Sequence, residues 1–183
     1  MEHTIYCVDD SSMHLSKIKS AVAEACSLRN ISSYRLIECS DGKELLDSVK
    51  NHRPSLITMD IHMPVMDGLS TLVRLRSLFP TCPMVMVSSE NEDVVMRHAL
   101  NKSNLHHHYD APEEKKREML EKVAKRVKAG VQEEGKINSI LEACACLGMD
   151  PIAVAKHYGA NAFISKPFDV SDASKKISDL LRA

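Results

Sequence analysis

The chain has 183 residues, 44% hydrophobic and 27% charged, with a formal net charge of −1. That is the balance of a globular protein with one domain, or one domain carrying a large insertion, and the near-neutral charge argues against nucleic acid or an anionic membrane surface as partner. No apolar run approaches the roughly 20 residues that span a bilayer, and MEHTIYCVDD at the N-terminus lacks a signal peptide's basic flank and apolar core, so the expectation is a soluble, cytoplasmic protein.

In chain order, TIYCVD (4–9) reads as a short apolar strand ending in acid. The helix after it, SMHLSKIKSAVAEAC, aligns Leu15, Ile18, Val22 and Ala25. YRLIEC (34–39) is a second strand, and SDGKELLDSVK opens the second helix with Asp41 three residues before Glu44, a capping-box spacing, with Leu45, Leu46 and Val49 inward. Leu56 to Met59 form a third strand that runs straight into Asp60, and the helix LSTLVRLRSLF (69–79) stops at Pro80. PMVMVSS (83–89) is the fourth strand and NAFISK (161–166) the fifth. DVSDASKKISDLLRA then closes the chain as an amphipathic helix aligned on Val170, Ala173, Ile177 and Leu180.

Strands that alternate with helices and are apolar throughout imply a parallel sheet covered on both faces. Ligands of such sheets sit beyond the carboxyl ends of the strands. Those ends carry Asp9, Asp10, Asp60, Ser88 and Lys166. Converging carboxylates repel one another and invite a hard cation, for which oxygen ligands suit Mg²⁺. A cation, a lysine and a hydroxyl together match the equatorial oxygens of a transferring phosphoryl group, which gives Asp60 a role as nucleophile.

With VDDSS (8–12), MDIHMPVMDG (59–68), VSS (87–89) and FISKPF (163–168) in place, the chain resembles the receiver domain of two-component response regulators. The resemblance covers residues 1–103 and 149–183. It implies a doubly wound five-stranded parallel sheet of the flavodoxin-like order 2-1-3-4-5, an order borrowed from a member of this family. It makes Asp60 the acceptor of a phosphoryl group from a histidine kinase, and Mg²⁺ is held by Asp9, Asp10, Asp60 and the backbone carbonyl of His62. Lys166 and Ser88 contact the phosphoryl group, Ser88 and Phe163 switch, and Pro64, Asp67 and Gly68 shape the loop beyond the acceptor. Ser88 stands where threonine is frequent but keeps the hydroxyl. The His62 side chain reads either as an exposed loop residue or as a tuner of phosphate lifetime.

Between Ser88 and Lys166 the chain runs far longer than the resemblance implies. EDVVMRHALNK reads as the fourth helix and DPIAVAKHYGA as the end of that same helix, which puts a helical insertion near 104–148. Pro112 followed by acids starts a helix, and EEKKREMLEKVAKRVKA aligns Leu120, Val123, Val127 and Val131. Glu118–Lys122 and Glu121–Lys125 are favourable i,i+4 pairs. After GVQEEG a second stripe joins Ile137, Ile140, Leu141, Cys144 and Ala145, so the insertion reads as an αα-hairpin that must bury its stripes on the receiver, on a second copy of this chain in a homodimer, or on another protein. Within 104–148 eight basic residues balance eight acidic ones and Tyr109 is the lone aromatic, which disfavours a nucleic-acid module. HHHYD (106–110) reads as a solvated connector more readily than as a metal site, and the six cysteines, without a CxxC pair, as small core residues.

The expected function is a stand-alone receiver, non-enzymatic beyond its own phosphorylation and dephosphorylation. It signals through protein contacts, with chemotaxis or motility regulators as the nearest analogues. Rival readings are a phosphorelay shuttle or phosphate sink, and a phosphohydrolase with an aspartyl nucleophile. Adjacent Asp9-Asp10 in place of Asp-x-Asp argues against the last.

Overall fold

The computed structural model describes residues 3–89, 111–133 and 136–181. Five strands form one parallel sheet: β1 (His3–Val8), β2 (Tyr34–Cys39), β3 (Leu56–Asp60), β4 (Met84–Ser89) and β5 (Ala162–Lys166), in the order β2-β1-β3-β4-β5. The expected order and the flavodoxin-like class are both present. Helices α1 (Ser12–Leu28), α2 (Gly42–Ser48) and α3 (Gly68–Leu78) follow the first three strands. After β4 come α4 (Glu113–Ala129), α5 (Ile140–Leu147) and α6 (Pro151–His157), and α7 (Val170–Ser178) follows β5.

Alternate side chains of each strand go to opposite faces, and both faces are apolar. Ile5, Cys7, Val85, Val87 and Ile164 face a layer made by Ile18, Ala21, Val22 and Ala25 of α1 and by Ala173 and Ile177 of α7. Tyr6, Val8, Ile57, Met59, Met84 and Met86 belong to the other core, with Leu45 of α2 and Leu69, Leu72 and Leu75 of α3. Ile140, Ala143, Cys144 and Leu147 of α5 and Val154 of α6 complete that second core.

Local chemistry sets the helix ends. Asp41 accepts from the N–H groups of Lys43 (2.7 Å) and Glu44 (3.0 Å), as an N-cap should. Glu44 Oε2 returns to the N–H of Ser40 at 2.7 Å, one residue before the cap, so the box is shifted from its usual form. The helix expected from EEKKREMLEKVAKRVKA spans those same residues and ends at Gly130, whose φ of +67° is a left-handed cap that suits glycine. Leu120, Val123 and Val127 are buried against α3 and α5, whereas Val131, beyond the glycine, leaves the stripe and is exposed. Lys122 pairs with Glu118 at 2.7 Å as expected. Glu121 instead accepts from the Tyr158 hydroxyl at 3.0 Å and lies 3.3 Å from His157 Nε2, so α4 is also tied to the end of α6.

The second expected stripe begins before its helix: Ile137 is buried in the lead-in, and Ser139, in an extended conformation, caps α5. Residues 151–157 form a helix of their own, begun by Asp150, which accepts from Ile152 N–H at 3.0 Å and from Ala153 N–H at 3.2 Å. The preceding helix has already ended at Gly148 (φ +60°), which is why α6 does not continue it. EDVVMRHALNK and HHHYD lie outside the described residues. Among the described residues no helix is long and apolar enough to cross a membrane. All six cysteines are free and buried.

Candidate functional site

Strand register brings the acids together. Val8 is opposite Met59, so the next residues, Asp9 and Asp60, stand level on neighbouring strands. Asp60 is opposite Val87, which puts Ser88 one residue beyond, and Ser89 pairs with Lys166. Asp9, Asp60, Ser88 and Lys166 are all buried, and Asp10 is exposed at the rim.

Ligand oxygens of Asp9, Asp10 and Asp60 lie within 4.8 Å of one another. Lys166 Nζ donates to Asp9 Oδ2 at 2.7 Å and to Asp60 Oδ2 at 2.8 Å. Burying these charges would be costly unpaired, and the lysine bridge is what makes them tolerable. Desolvation still dominates at Asp60: burial pushes its carboxyl above the ordinary carboxylate value, against the lowering effect of the Lys166 hydrogen bond and charge. On the far side of Asp9, Oδ1 accepts from Ser11 N–H at 2.9 Å and lies 3.5 Å from His14 Nδ1.

One lysine does not balance three carboxylates. An all-oxygen donor set with this charge fits a hard divalent cation of the Mg²⁺ kind. Asp9, Asp10 and Asp60 would hold it.

The loop after Asp60 is tightly constrained. Gly68 N–H donates to Ile61 O at 2.9 Å, and a Cβ at Gly68 would collide with the carbonyl oxygen of Asp60, so only glycine lets the chain return this closely. His62 N–H lies 3.4 Å from Asp60 Oδ1, and its side chain is half-buried. Val65 has φ +61°, an outlier for a β-branched residue, at the centre of a tight turn in which Met66 N–H reaches Pro64 O at 2.6 Å. Phe163 is half-buried on β5 opposite Met86, with Lys156 Nζ 5.4 Å from its ring centroid.

Sequence reading therefore named the residues that meet at the strand ends and missed two neighbours. His14 could have been found from its place in the first turn after Asp9-Asp10. Ser139 carries a legible Ser-x-x-Glu cap signal with Glu142, but nothing local says what else its hydroxyl touches.

The parallel α/β sheet thus carries an acidic, lysine-bridged group at the carboxyl ends of β1, β3 and β5. The family model for the response regulator receiver domain matches residues 5–124, and the chain belongs to that family. The matched span holds Asp9, Asp10, Asp60 and Ser88; Lys166 lies beyond it and joins them by folding. Similar solved structures include a CheY-like receiver domain protein of Methanospirillum hungatei JF-1, with TM-score 0.56 and 18% identity, covering 99% of this chain and 94% of that one. The chemotaxis response regulator CheY4 of Vibrio cholerae is another, with TM-score 0.53 and 19% identity, covering 99% of this chain and 100% of that one. Among curated relatives, a protein-glutamate methylesterase/protein-glutamine glutaminase of Carboxydothermus hydrogenoformans is 32% identical over 87 residues, 48% of this chain and 24% of the relative. A similarly named protein of Hahella chejuensis is 39% identical over 86 residues, 46% of this chain and 22% of the relative. The chain thus spans about a quarter of the length of these relatives.

Proposed function

We propose that this protein is a receiver that accepts a phosphoryl group on Asp60 from a histidine kinase and signals through protein contacts. The observation that carries the reading is the meeting of Asp9, Asp10 and Asp60 within 4.8 Å, bridged by Lys166. In the transfer, an Asp60 carboxylate oxygen attacks phosphorus, the P–N bond of the phosphohistidine breaks, and the released imidazole takes its proton from water. Bound Mg²⁺ supplies charge neutralisation to the phosphoryl oxygens.

The chain's own groups do the rest. Asp9 and Asp10 would hold the cation beside Asp60, and the His62 carbonyl would serve as a further oxygen ligand. Lys166 moves its charge from the carboxylates to the incoming phosphoryl group, and the Ser88 hydroxyl donates to it. Phe163 then reports the change along β5. The His62 side chain, half-buried two residues after the acceptor, tunes access of hydrolytic water to the acyl phosphate. Residues 104–148 form an inserted unit within a receiver made of 1–103 and 149–183, and the protein works in the cytoplasm, in a chemotaxis- or motility-type pathway. The esterase activity in the relatives' names is not carried over, because so small a part of those proteins is matched.

The test is intact-mass spectrometry with acetyl phosphate. The parent should gain one phosphoryl group only with Mg²⁺, and Asp60→Asn should gain none. Undiminished labelling of Asp60→Asn would overturn the assignment.

A further inference from the structure

The insertion touches the phosphoacceptor loop through one buried carboxylate. Asp67, at the end of the loop that follows Asp60, is 8% exposed and is the N-cap of α3. Its Oδ1 accepts from Ser70 N–H at 2.8 Å, and its Oδ2 accepts from Ser70 Oγ at 2.6 Å and from Ser139 Oγ at 2.8 Å. Ser70 Oγ in turn accepts from the Ile140 N–H at 2.9 Å, and Ser139 Oγ accepts from the Glu142 N–H at 3.1 Å. The N-termini of α3 and α5 therefore meet at Asp67, and each donor in the chain is held by the next.

That junction sits where the backbone needs support. Val65, 79% exposed at φ +61°, cannot hold its turn by burial, and a β-branched residue resists that conformation. Strained conformations persist only when their surroundings over-determine them. The fixed points after Val65 are Met66, whose carbonyl accepts from Gly42 N–H at 3.2 Å, Gly68, whose N–H donates to Ile61 O, and between them Asp67. Val65 and Met66 also share a small crevice with Val131, Asn138 and Ser139, so loop and insertion lie against each other.

We propose that Ser139 is a positioning residue for the phosphoacceptor loop: through Asp67 it makes the seat of the insertion set the geometry of residues 61–67 beside Asp60. The proposal rests on the receiver reading for its consequence, the shape of the cation site, but its structural half stands apart from phosphorylation. Coupling of this kind runs both ways, so anything that shifts the insertion changes the loop, and occupation of the acid site changes the insertion.

The experiment uses the full chain with Ser139→Gly, Ser139→Ala and Ser139→Thr, alone and with Val65→Gly. Glycine keeps most of the helix-capping preference while deleting the hydroxyl, which separates the tie to Asp67 from capping and protects the test if the alanine variant folds poorly. Amide exchange should quicken at Ile140 and across 61–67 in Ser139→Gly, and Mg²⁺ affinity by titration calorimetry should fall about tenfold, the lower end for residues supporting metal ligands from outside. Ser139→Thr should restore both. Val65→Gly, by relaxing the turn, should shrink the Ser139→Gly effect. A folded Ser139→Gly protein with the parent's exchange across 61–67 would overturn the proposal. An unlabelled parent would instead overturn the phosphoacceptor reading, and the exchange comparison still decides the role of Ser139.

Discussion

The two faces of the sheet are covered by different means. On one, α1 and α7 close over Ile5, Cys7, Val85, Val87 and Ile164. On the other, α2 and α3 share the cover with α5 and α6, and α4 packs in turn on α3 and α5. The first face needs nothing beyond the alternating strand–helix plan. The second takes the extra helices into its core: Ile140, Ala143 and Cys144 are as fully buried as Leu72 of α3. An added segment that supplies apolar side chains to a sheet face is part of the fold, and replacing α4 and α5 by a flexible linker would uncover that core.

The sharpest way to break this comparison is a matched pair of truncations. Ile140→Ala and Ile177→Ala, one on each face and both at 0% exposure, should each cost about 2–5 kcal/mol in urea unfolding. A single transition is expected for both. An Ile140→Ala cost below 1 kcal/mol, or a separate early transition, would mean that the second cover is detachable. Leu120→Ala should fall near the bottom of the same range, about 2 kcal/mol, because α4 packs on other helices.

Between the faces, the strand ends are stabilised differently again, by balancing charge. Asp60, with its carboxyl raised above 3.8 by burial, binds a proton more readily folded than unfolded. Its contribution to stability is therefore full below the unfolded value and is lost as pH rises through the folded one. Asp60→Asn escapes that loss, so its melting temperature should exceed the parent's at pH 7 and the gap should close as pH falls towards 4. A gap independent of pH would show that Lys166 already offsets the burial.

The smallest expected effect is at the tie between α4 and α6. Glu121→Gln weakens the acceptor of the Tyr158 hydroxyl and should cost about 1 kcal/mol by urea unfolding. Lys122→Ala, which removes only the exposed pair with Glu118, should be neutral. Equal effects of the two would place Glu121 among the ordinary surface charges.

Much of the site was legible because its chemistry is written at strand ends. A run such as Leu56 to Met59 followed by Asp60 marks both the strand and the place where it opens into a crevice. Helix α4 was equally legible, since its apolar spacing, first-turn acids and closing Gly130 all agree. The partner of Glu121 was not. Lys125 is the nearer choice along the helix, and only the packing of α4 against α6 brings Tyr158 to it.

By itself, the amino-acid sequence determined the strands, a parallel sheet covered on both faces and the identity of the residues at the strand ends, because hydrophobic period, caps and turn residues act within a few positions of one another. It also determined that the extra helices had apolar stripes to bury. Where those stripes went was decided by the tertiary structure: against α3 and the sheet core. So was the meeting of Ser139 with Asp67, 72 positions earlier in the chain. The reason is physical. A stripe specifies that a face must leave water but not which surface receives it, and a serine hydroxyl acquires a distant partner only after burial has brought two helix N-termini together.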